Sequence, residues 1–193
     1  MKLPIIGSVI SIFFVFGSAV TVQAAPKPVA LTDAVFNLTD DSGCISTEVF
    51  VFARDGDPTG AASTGEISLA FSQFDDCNET PVTGISGTVP LGDQDLKVNE
   101  KSGLATLNTR LKLLDRSSEE SINVVLHLTW KSTEDATINT TSHYMQRPGQ
   151  FVELGRSVNR SDRSARAEGF IIVGHTRFVL KTPHADIASI VGN

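Results

Sequence analysis

The sequence predicts an all-β protein: a single antiparallel domain of about ten strands, folded as a sandwich or a closed meander barrel, behind a signal peptide. Three observations predict it. Apolar and polar residues alternate at period two along most of the chain, turn-forming clusters separate the alternating stretches, and no segment carries the 3.6-residue period of an amphipathic helix. At 193 residues, with 40% hydrophobic and 20% charged residues, the chain is sized for one ordinary domain and is neither disordered nor collagen-like in composition.

Residues 1–24 read as an export signal. Lys2 gives a short basic start, residues 9–16 form an apolar run rich in Ile and Phe, and Val22-Gln23-Ala24 puts short residues before the expected cut at Ala24/Ala25. The run is diluted by Gly7, Ser8, Ser11, Gly17, Ser18 and Thr21, whereas a membrane-spanning helix needs about 20 mostly apolar residues. Residues 25–193 are therefore expected as one exported domain, secreted or periplasmic, with no membrane span after cleavage. Cys44 and Cys77, the only cysteines, are expected to form one disulfide in such an oxidising compartment.

Strands are expected at 28–39, 44–54, 64–75, 81–90 and 94–100. In the next pair, Ala105, Leu107, Leu111 and Leu113 occupy odd positions, and Ile122, Val124, Leu126, Leu128 and Trp130 occupy even ones. If the two form a hairpin, their apolar faces coincide only when paired residue numbers sum to an odd value. The intervening loop suggests a sum near 235, which sets Leu111 against Val124, Leu107 against Leu128, Ala105 against Trp130 and Asn108 against His127. Further strands are expected at 136–146, 150–159, 164–176 and 178–190. Val49 to Ala53 is apolar on both faces and reads as a central strand covered on both sides. Gly169 and Gly174 suggest a bulge or a close backbone approach. Trp130 follows both cysteines, unlike the immunoglobulin pattern, which needs a Trp between them.

Charge is lopsided. Residues 26–100 hold 3 Lys/Arg against 13 Asp/Glu, and residues 101–193 hold 12 against 9. The simplest expectation is that acidic early strands neighbour basic late ones and pair with them. The alternative is an anion-facing patch of Arg147, Arg156, Arg160, Arg163 and Arg166. The formal net charge of −6 argues against a nucleic-acid partner.

Motifs for chemistry are weak. Gly84-Ile85-Ser86-Gly87-Thr88 lacks the last glycine of a nucleophile elbow, and Asp55-x-Asp57 lacks the spacing of a calcium loop. The histidines lack zinc-site spacing, and no catalytic residue, metal site or cofactor is assigned. His127 with Asn108, and His143, are the candidate ligand-facing residues.

The segments Ser42-Gly43-Cys44-Ile45, Phe74-Asp75-Asp76-Cys77 and Leu104 to Thr109, with Ser142-His143-Tyr144 before Pro148-Gly149, resemble a group of uncharacterised exported bacterial all-β proteins. The group carries a further Cys after Pro-Gly, where this chain has Gln150. The resemblance implies fold and export, and brings no activity with it. The expected role is an exported non-enzymatic β-domain that binds a macromolecule or the cell envelope. A lipocalin-like carrier of a small apolar ligand is the alternative, and an exported hydrolase the third reading.

Overall fold

The structure, a computed structural model, describes residues 28–56, 64–115, 118–147 and 150–192. The expected signal segment 1–24 lies outside them. Ten strands follow in order: β1 Val29–Thr39, β2 Ile45–Arg54, β3 Glu66–Asp75, β4 Thr80–Pro90, β5 Leu96–Asn99, β6 Leu104–Leu114, β7 Ser121–Ser132, β8 Thr137–Arg147, β9 Gln150–Val173 and β10 Thr176–Gly192. All pair antiparallel in one sheet of order β4-β3-β2-β1-β10-β9-β7-β6-β5, with β8 added on β9. The sheet curls into a half-barrel, within the sandwich-or-barrel class expected.

Alternation explains the curl. Each strand sends one set of side chains to the same side, and that side is hidden only if the sheet folds on itself. Phe71 on β3 and Phe178 on β10 meet across the interior with ring centres 5.1 Å apart, although β1 and β2 separate their strands in the sheet. Trp130, Phe36, Ile67, Ile85, Leu107 and Leu128 are among the fully buried side chains that fill the space between. At the seam, β4 approaches β6 through a bridge between Ile85 and Asp115.

The β6–β7 register is the one expected: Leu111 faces Val124, Leu107 faces Leu128, Ala105 faces Trp130 and Asn108 faces His127. Cys44 and Cys77 are bonded, with Cα atoms 5.2 Å apart, and tie the β1–β2 turn to the β3–β4 turn.

Four expectations need correction. Val49, Val51 and Ala53 are fully buried, but Phe50 is 39% exposed, so β2 is covered on one face only. The reason is that, among the described residues, no second layer lies on the outside of the curled sheet. Residues 150–159 and 164–176 are not separate strands, because β9 runs through Arg160-Ser161-Asp162-Arg163 without a turn. That polar stretch stays extended because Asp162 pairs with Thr137 on one side and Ala188 on the other. Gly174 falls in the β9–β10 turn rather than within a strand, with φ +61°.

The fourth correction concerns charge. The acidic β1–β4 half joins the basic half mainly along β1–β10, and there Asp33 faces Asp186. Like charges meet where opposite ones were expected.

Candidate functional site

The outer face of β6, β7, β9 and β10 collects the most varied polar groups. Its residues are set by parity, since each is one step from a buried core position: Asn108 and Arg110 on β6, His127, Thr129 and Lys131 on β7, Arg166, Glu168 and Phe170 on β9, Arg177 and Lys181 on β10. Registers set them side by side. Lys131 lies opposite Arg166, Thr129 opposite Glu168, and His127 opposite Phe170. Glu168 in turn lies opposite Lys181.

Gly169 shapes the centre of this face. Its φ of +153° belongs to glycine, and an added Cβ would sit 2.0 Å from the carbonyl oxygen of His127. The close backbone approach read from the sequence at this glycine is therefore present. Beside it, the His127 ring bonds through Nδ1 to the Asn108 side-chain oxygen. The same ring stacks on Phe170 at a centroid distance of 5.3 Å, and the Arg177 guanidinium lies 4.1 Å from the centre of the Phe170 ring. Phe170 therefore has both a histidine and a cation against it.

Three open cavities adjoin along the face. One of about 510 Å³ is bounded by Asp95, Asn108, Arg110, His127 and Phe170. One of about 330 Å³ shares His127 and adds Thr129, Glu168, Gly169 and Val179. One of about 520 Å³ shares Thr129, Glu168 and Lys181 with the second and adds Leu104, Lys131 and Arg166. Shared walls make them one groove, of the size range in which ligand clefts fall.

Of the five arginines of the alternative anion patch, Arg160, Arg163 and Arg166 have described side chains. Arg166 lies in the groove. Arg160 is held by Asp162 on its own strand, Nε to Oδ1 2.6 Å. Arg163 shares the parity of buried Ala165 and lies near Gly103. The side chains of Arg147, Arg156 and His143 lie outside the described residues. Sequence reading passed over Lys131, Lys181 and Arg177 as groove cations. They come from β7 and β10, and Lys131 is brought to the same face as the other two only through register.

Elsewhere, Asp55 Oδ1 accepts the Ala30 N–H at 2.8 Å, while Asp57 lies outside the described residues. Asp33, half-buried, has its carboxyl raised above the ordinary range by burial first and by Asp186 second, against the opposing pull of Arg160. Among the described residues, no group of three or more His, Cys, Asp or Glu side chains is placed to hold a metal ion, and no helix is long and apolar enough to cross a membrane.

Comparison with protein-family models, with curated proteins and with solved structures found no match to this chain.

Proposed function

We propose that this protein is an exported, non-enzymatic binding domain that holds an extracellular or envelope macromolecule in the outer groove of β6, β7, β9 and β10. The single observation behind this reading is the continuity of the groove. His127 is the wall common to the first and second cavities, and Thr129, Glu168 and Lys181 are common to the second and third, so an elongated ligand can follow the three in series. A rigid β-scaffold supports such a surface at little ordering cost on binding. Export is supported by the signal-like first 24 residues and by a disulfide, which persists in oxidising compartments.

The experiment is site-specific crosslinking. A photo-reactive amino acid is placed at Thr129, in the groove, or at Ala70, on the outer face of the other half of the sheet, and the protein is exposed to the envelope and extracellular fractions of its own host. A high-mass adduct from position 129 and none from position 70 is expected. Equal labelling from both positions, or none from 129, overturns the reading.

A further inference from the structure

Resting on the groove reading above, we propose that the macromolecule is a carboxylate-bearing polysaccharide whose acid groups are seated by Lys131, Arg166 and Lys181. The chain as a whole is acidic, at −6, yet these three cations line one cavity of about 520 Å³ in which Glu168 is the only acid among the described residues. Arg110 and Arg177 continue the positive charge along the same face. Among the described residues the ion pairs are Arg54–Glu66 and Arg160–Asp162, so the groove cations are not spent on one another's neighbours. A local excess of positive charge inside a negative molecule attracts anions at the groove and repels them elsewhere.

Charge density selects among polyanions. Nucleic acid brings about one charge per 1.7 Å of duplex, and Glu168, set between Thr129 and Lys181, would oppose so dense a phosphate track. A polymer with one carboxylate per sugar passes Glu168 with hydroxyls in contact, which the carboxylate accepts as hydrogen-bond donors. Thr129, Ser132 and Thr133 add hydroxyl partners in the same cavity, and Leu104 and Pro183 offer apolar contact for the C–H face of a sugar ring. Phe170 is a poor platform for base stacking, because it has His127 and Arg177 against it. Leu104 and Val179 are exposed beside the cations, so an anionic lipid surface is the competing occupant that the test must separate.

The test measures binding of the protein to polygalacturonate, with dextran, anionic phosphatidylglycerol vesicles and single-stranded DNA alongside. Polygalacturonate is expected to bind best, and binding is expected to weaken with salt. The triple variant Lys131→Gln/Arg166→Gln/Lys181→Gln is expected to lose tenfold or more in affinity. Glu168→Gln is expected to bind two- to fivefold tighter, a gain that damaged folding does not produce. An unchanged affinity in the triple variant, or a preference for dextran, vesicles or DNA, overturns the polysaccharide assignment. If the crosslink from Thr129 persists in that case, the groove reading stands and only its ligand is wrong.

Discussion

The indole N–H of Trp130 on β7 donates to the backbone carbonyl of Asp33 on β1 across 2.8 Å, bridging strands that β9 and β10 separate in the sheet. Trp130 is fully buried, and its cross-strand neighbours Ala105 and Ala167 are small enough to leave room for the ring. The bridge lies where the sheet begins to part, since the β1–β10 register ends at Ala34–Ala185. Trp130→Phe keeps much of the apolar burial and orphans the carbonyl. It is expected to cost about 1–3 kcal/mol, read as a lower urea midpoint with an unchanged slope.

Gly169 and Gly174 both have positive φ but differ in surroundings. A methyl group at 169 meets the His127 carbonyl, whereas at 174 it meets open space. Gly169→Ala is expected to cost about 3 kcal/mol or more, from strain and forced backbone movement together. Gly174→Ala is expected to cost about 1 kcal/mol. Equal costs in thermal or urea unfolding would show that His127 and Gly169 do not approach so closely.

Asp33 gives a pH signature. Its carboxyl is raised in the folded protein, chiefly by burial and then by Asp186. The folded chain therefore holds that proton more firmly than the unfolded one, and Asp33 removes stability as pH climbs from the ordinary carboxylate range through the raised value. Asp33→Asn is expected to stabilise the protein at pH 7 by a few tenths to about 1 kcal/mol, the scale of a like-charge cross-strand pair. The gain should vanish on acidification. A stability difference that is flat from pH 3 to 7 contradicts this.

The turn carboxylates act in the opposite direction. Asp40 is lowered by the Ser42 hydroxyl and then the Ile45 N–H, and Asp75 by the Asn78 side chain and then its N–H. Their support is present above the ordinary carboxylate range and is lost as pH falls through the lowered values. Amide exchange at Ile45 and Asn78 is expected to quicken on acidification relative to core amides, once the intrinsic pH dependence is removed.

The Cys44–Cys77 bond joins these two turns. Closing its 33-residue separation contributes about 3.5–4 kcal/mol in the chain-entropy view. The double variant Cys44→Ala/Cys77→Ala is expected to lose about that much in urea unfolding, and titration of the denatured, unreduced protein is expected to find no free thiol.

What the sequence made legible was parity. Odd and even apolar sets in β6 and β7 admitted a single family of registers, and the loop length picked the one found, with Asn108 against His127. Parity does not say whether a second layer covers the other face, so Phe50 was read as buried when it is exposed. Nor does it reveal which edge a strand uses. The stretch from Arg160 to Arg163 looked like a turn because its partners, in β8 and β10, are set by topology. The groove stayed hidden for the same reason. Arg160, Arg163 and Arg166, close along the chain, have different surroundings, while Lys131, Arg166 and Lys181 come from three strands and share one cavity.

Strand β9 spends one edge twice: its first half pairs with β8 and its second half with β7, while β10 runs along the opposite edge from Val158 onward. Force along the length of β9 must therefore shear its ladders to β7 and β10 together instead of unzipping them rung by rung, so the second half of β9 is the mechanically best-held part of the sheet.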